Sequence, residues 1–87
     1  MYPFTQTIID NKIIRTFNPE VDDEELKWHQ DLNDREITIL KSGGWKYQEE
    51  DKLPIELLDG LKFKIPKLEW HRVIKGNEIM IVEIIEK

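Results

Sequence analysis

At 87 residues, with a net charge of −5, no Cys and a single Ser, the chain is one domain that excludes several functions at once. It has no basic cluster to neutralise nucleic-acid phosphates, no phosphate-binding loop, and neither a Cys nor a Ser/His/Asp set for nucleophilic catalysis. It shows no signal-peptide pattern and no apolar run of membrane-spanning length, so the expectation is a cytoplasmic, reducing setting without a membrane or nucleic-acid partner.

The chain has no Ala, and 13 Ile with the Val and Thr make 20 β-branched residues. Such side chains suit strands and lose rotamer freedom in helices, which predicts an all-β fold. Phe4 to Ile9 and Lys12 to Phe17 read as two strands around Asp10-Asn11, an N-terminal hairpin within residues 1–20. Asn18-Pro19 opens the acidic stretch Glu20 to Glu25, read as a solvated loop with an interaction segment as the alternative. The body runs over residues 26–86. Leu26 to Leu32, if extended, sets Leu26, Trp28 and Gln30 on one face and Lys27, His29 and Asp31 on the other. Asn33-Asp34 turns the chain into a strand from Glu36 to Leu40, and Ser42-Gly43-Gly44 supplies the positive φ of a tight hairpin. Trp45 to Gln48 is strand again, with Trp45 and Tyr47 on one face.

Further on, Pro54 precedes a short strand from Ile55 to Leu57, and Asp59-Gly60 turns into Leu61 to Ile65. There Leu61, Phe63 and Ile65 point one way, and Lys62 and Lys64 the other. Pro66 interrupts, Glu69 to Ile74 resumes, and after Lys75-Gly76-Asn77 comes the last strand, Glu78 to Glu86. Short strands separated by turn signals about every 8–12 residues predict a sandwich or barrel. The last strand is apolar on both faces, with Ile79, Ile81 and Ile85 opposite Met80, Val82 and Ile84. It is expected either to lie between two layers or to have its outer face covered by a second copy in a homodimer.

Any chemistry concentrates on two histidines, each directly after a tryptophan: Trp28-His29 and Trp70-His71. His29 and Asp31 on a strand project to the same side. A carboxylate on the next strand and a distant His would complete a set of nitrogen and oxygen ligands. With open positions, such a set suits Fe(II), Mn, Ni or Zn in a catalytic role. The plainer alternative is a His packed beside a Trp. If His29 and His71 face inward, then Trp28, Gln30, Trp70 and Arg72 face outward, and the two tryptophans form a candidate interface. Ordinary core packing is the alternative for all three Trp.

The spacing resembles the two motifs of the cupin superfamily, small jelly-roll barrels. The first motif has the form H-x-H, three or four residues, E, six residues, G. Here His29, Asp31 in place of the second His, Glu36 and Gly43 fall on its positions. The second is G, five residues, P-x-G, two residues, H, three residues, N; Gly60, Pro66 and His71 match, while Leu68 replaces the Gly and Lys75 the Asn. Residues 26 to 85 carry the resemblance, and the Trp45, Leu53-Pro54, Gly60, Pro66 and Trp70-His71-Arg72-Val73-Ile74 pattern is similar to small single-domain cupins. It implies a cupin-type double-stranded β-helix over residues 1–87. A divalent metal (Fe, Mn, Ni or Zn) would be held by His29, Asp31, Glu36 and His71 beside a pocket of Arg35, Trp45, Tyr47 and Phe63. With a three-residue spacer, Arg35 falls on the Glu position and Ser42 on the Gly. An Arg there has donors only and stays charged, so that register gives a metal-free site or one holding an anion. The functions this implies are a metal-dependent enzyme of dioxygenase or isomerase type on a small molecule, with Asp31 or Glu36 as a general base if uncoordinated. The alternatives are a non-enzymatic module for a sugar or carboxylate, or an interaction protein using the Trp patch and acidic loop.

Overall fold

The β-branched runs become eight strands: β1 (Phe4–Ile9), β2 (Lys12–Phe17), β3 (Arg35–Lys41), β4 (Lys46–Glu49), β5 (Ile55–Glu56), β6 (Lys62–Ile65), β7 (His71–Ile74) and β8 (Met80–Glu86). The computed structural model describes residues 4–22 and 26–87, so residues 23–25 of the acidic stretch and residues 1–3 ahead of the hairpin lie outside the described residues. Among the described residues there is no helix, and none long and apolar enough to cross a membrane.

The strands form two antiparallel sheets, five-stranded in the order β1-β2-β8-β3-β6 and three-stranded in the order β5-β4-β7. Alternation decides which residues meet between them. Phe17, Ile37, Ile39, Met80, Val82 and Ile84 from the large sheet are buried against Trp45, Tyr47 and Leu57 from the side of the small one. Along β8 only Met80, Val82 and Ile84 are buried, while Ile81 and Ile85 on the outer face are half-buried and Ile79, just before the strand, is exposed. The expectation of a second layer over that face is not met: β8 is central in its sheet, but only one of its faces meets the other sheet.

Leu26 to Leu32 is not a full strand. It is an extended segment tied to β7 by one isolated bridge, His29 to His71. One loop, between β6 and β7, holds it there. The Leu68 N–H donates to the Asp31 carbonyl at 2.8 Å, the Lys67 N–H to Asp34 Oδ1 at 2.8 Å, and Gln30 Nε2 to the Leu68 carbonyl at 2.7 Å.

The hairpin glycines act as expected. Gly43 has φ +58° and Gly44 +80°. The Gly43 carbonyl accepts from Asn77 and Glu78 N–H, both at 3.1 Å. A Cβ on Gly43 would fall on the Ile79 carbonyl oxygen, and one on Gly76 would fall on the Gly43 carbonyl oxygen, so the two turns meet backbone to backbone.

Leu68 adopts φ +64° with its side chain exposed. The left-handed conformation costs a non-glycine residue about 1–2 kcal/mol, whereas a glycine adds about 0.5–1 kcal/mol of unfolded-state entropy. The difference favours glycine. Leu68→Gly is expected to raise stability by about 0.5–1 kcal/mol, and an unchanged or lower urea midpoint would show that the Leu68 conformation carries no strain.

Candidate metal centre and the cavity beside it

The centre is built by strand register. His29 and His71 sit directly opposite each other, each N–H donating to the other's carbonyl at 3.0 Å. Opposed residues share a face, so the two imidazoles stand side by side with ring centroids 4.3 Å apart. Asp31, two residues after His29, joins them from the same face. Its Oδ2 lies 3.3 Å from His71 Nε2 and its Oδ1 3.8 Å from His29 Nε2. His71 and Asp31 are buried, and the His29 side chain is half exposed.

Both imidazoles are oriented from behind. His29 Nδ1 bonds the Lys27 carbonyl at 3.0 Å and His71 Nδ1 bonds the Glu69 carbonyl at 2.8 Å. A carbonyl only accepts, so each Nδ1 carries a proton and each Nε2 is the free position facing Asp31. This backing is the usual companion of a metal-binding imidazole. Burial disfavours charge on His71, but the Asp31 carboxylate and the Glu69 carbonyl outweigh it and raise its pKa above the ordinary value. Burial likewise works against the Asp31 carboxylate, yet the bond to His71 and the charges of Arg35, His71 and His29 hold its pKa below the usual value.

Arg35 bonds Asp31 Oδ1 at 3.2 Å and Glu86 Oε1 at 2.8 Å. It enters the site, and Glu36 does not. Glu36 is on the opposite face of β3, 3.5 Å from Lys87 Nζ, so the expected fourth ligand is not brought to the group. The reason is alternation: Ile37 and Ile39 are buried on the inner face of β3, so Arg35 shares that face and Glu36 does not. Ile39 pairs Val82 and Lys41 pairs Ile81, which leaves Leu40 as an extra residue, a bulge in the run between Arg35 and Gly43.

A cavity of about 560 Å³ opens beside the centre, between the sheets. Arg35, Tyr47 and Phe63 line it, together with Phe4 and Arg15 from the N-terminal hairpin. Trp45 does not line it. That side chain is fully buried in the core, against Phe17 at 5.5 Å between ring centroids, with Nε1 bonded to the Glu78 carbonyl. Arg15 escaped the sequence reading, although its place between Ile13 and Phe17 on one face of a strand was a visible anomaly. Trp28 and Trp70 do face outward, 39% and 43% exposed, with the Arg72 guanidinium 4.8 Å from the Trp28 ring centre.

No protein-family model matches the sequence, and no curated protein matches it. Solved structures do. A cupin domain from Bordetella pertussis Tohama I superposes with a TM-score of 0.68 at 21% identity, covering 99% of this chain and 95% of that one. KdgF from Halomonas sp. gives 0.73 at 13% identity over 97% of this chain and 80% of that one. A chain from the structures of the DMSP lyases RdDddP and RnDddQII gives 0.69 at 15% identity over 84% of this chain, which spans only 35% of that one. The chain has a cupin fold.

Within this cupin fold, His29, Asp31 and His71 offer one ligand atom each, all within 4.8 Å of one another, and the group can hold a metal ion. Two imidazole nitrogens and a carboxylate oxygen are a donor set that first-row divalent ions accept. Asp31 Oδ2 is buried with the His71 imidazole as its hydrogen-bond partner at 3.3 Å, a contact that an ion held between the two would replace.

Tyr47 is unpartnered. Its Oη is buried and unbonded, and its ring lies 4.9 Å from Phe63 and 5.8 Å from His71. Burial, reinforced by Glu49, Glu69 and Asp31, pushes the phenol pKa up, so the group stays neutral. Removing a hydroxyl that has a partner usually costs about 0.5–1.5 kcal/mol, and removing an orphan costs nothing. Tyr47→Phe in ligand-free protein is expected to match or exceed wild-type stability; a loss above about 1 kcal/mol in urea unfolding would mean the hydroxyl has a partner.

Proposed function

We propose that the chain is a small metal-dependent cupin in which His29, Asp31 and His71 hold one divalent transition ion and the adjoining cavity takes up the small molecule on which the ion acts. The supporting observation is the convergence of two backed imidazoles, each presenting Nε2, on the one buried carboxylate of Asp31. Two His and one carboxylate with the remaining positions open is the arrangement used for ligand activation rather than for structural bracing. When bound, the ion supplies Lewis acidity to a substrate oxygen. The protein's residues do the rest: Lys27 and Glu69 carbonyls hold the imidazoles, Arg35 orients Asp31, and the apolar walls limit water. Oxygenase and isomerase chemistry are the reaction classes this ligand set suits. The likeness to KdgF and the DMSP lyases supports a fold able to carry metal chemistry, at identities that set no substrate.

The other reading is a metal-free module for a small polar ligand. Its support is Arg35, which already neutralises Asp31.

Elemental analysis of protein purified without a metal-affinity step separates the two. About one Fe, Mn, Ni or Zn per chain is expected. At a hundredfold excess over Kd the added ion contributes about 2.7 kcal/mol, a melting rise of about 10 °C or more. His29→Ala, at a half-exposed position, is expected to remove both effects while leaving the fold intact. Metal-free protein that no added ion stabilises would overturn the proposal.

A further inference from the structure

The metal centre leaves two cavity cations unused, the exposed Lys27 and the half-buried Arg15, and the second is the unusual one. On β2 the inward positions are Ile13, Arg15 and Phe17, so alternation drives a guanidinium into an apolar wall. Arg15 Nε donates to Gln6 Oε1 at 2.7 Å, and its guanidinium lies 4.2 Å from the Phe4 ring centre. These contacts fix the side chain, but among the described residues no carboxylate pairs with Arg15, whereas Arg35 has both Asp31 and Glu86. The Arg35 Nε nevertheless remains buried and unbonded, as does Tyr47 Oη. Two guanidiniums therefore line one cavity with a single carboxylate, Asp31, that Arg35 already holds. Burial, and then the neighbouring Arg35 charge, lower the Arg15 pKa.

Planar guanidiniums recognise carboxylates through paired N–H bonds. The walls beside them, including Phe4, Ile37 and Phe63, are apolar. We propose that the cavity binds a small organic acid, with its carboxylate between Arg15 and Arg35, its apolar body against Phe4, Ile37 and Phe63, and an oxygen accepting from Tyr47 Oη. The inference rests on the reading of this cavity as the working site, but not on the metal.

Calorimetric titration of the full chain with phenylacetate and with phenylacetamide, with and without chelator, tests it, because the pair differ in charge and share a body. Phenylacetate is expected to bind at least roughly tenfold more tightly than the amide in both conditions. Arg15→Gln is expected to abolish that preference without lowering the ligand-free melting temperature, and Tyr47→Phe to weaken phenylacetate a few-fold. Equal binding of acid and amide, no binding of either, or an acid preference that survives Arg15→Gln would overturn the proposal. The two readings fail separately: metal uptake without acid binding refutes only the organic-acid ligand, and Arg15-dependent acid binding without metal uptake refutes only the metal.

Discussion

The site depends on one pair of backbone hydrogen bonds, those exchanged by His29 and His71. Among the described residues they form the one β-bridge of the extended segment around His29, and they set its register against β7. Because the residues are opposed, their side chains must share a face, and Asp31 follows two residues on. A slip of one residue would send the imidazoles outward and bring Trp28 or Trp70 in. The loop between β6 and β7 secures that register from one side. Lys67, Leu68 and Gln30 tie the turn after β6 to the segment around Asp31, and the chain takes φ +64° at Leu68 to do it.

The second determinant is the charge that sits beside the imidazoles. A glutamate at that position would have added a ligand; alternation with the buried Ile37 and Ile39 instead brings in Arg35. Its guanidinium holds Asp31 Oδ1 and leaves Oδ2 to His71, so it orients the carboxylate toward His71 while opposing any cation placed there. The consequence is a more positive site than a two-His, two-carboxylate centre would have. With Arg15 on the facing hairpin, the interior favours anions although the chain as a whole is acidic.

Alternation made much of this legible. Ile-rich runs located β1, β2, β3 and β8, and the period of two put His29 and Asp31 on one face with Trp28 on the other. What could not be read was how local irregularity shifts that period. The buried Ile37 and Ile39 put Arg35 rather than Glu36 on the inner face, and the extra residue at Leu40 lengthens the run to Gly43; no propensity marks that bulge, because Ile39, Leu40 and Lys41 would suit a regular strand equally well. Trp45 failed for a different reason. It shares a face with Tyr47, as expected, but lies toward the turn end of the sheet, where Phe17 and the Glu78 carbonyl enclose it. Direction along a strand decided its environment, and alternation gives only the face. Arg15 was overlooked because a cation among apolar residues reads as an outward residue unless the neighbouring positions are counted.

Buried polar atoms give the strongest physical link between fold and function. Among the described residues, Arg35 Nε and Tyr47 Oη are buried without a hydrogen-bond partner, and Asp31 Oδ2 has only the His71 imidazole, at 3.3 Å. All three belong to residues lining the same cavity. Each orphan costs about 1–3 kcal/mol, against a net stability of about 5–15 kcal/mol for an ordinary domain. A chain of this length, with a thin core and no disulfide, has little margin for such defects. If they were accidents of packing they would be scattered. Their convergence on one cavity, beside two imidazoles already fixed by backbone carbonyls, is what a binding site requires before its ligand arrives. Occupancy by an ion at Oδ2 and an acid at the guanidiniums and phenol would satisfy them together, so ligand binding and the stability of the fold are coupled through the same three atoms.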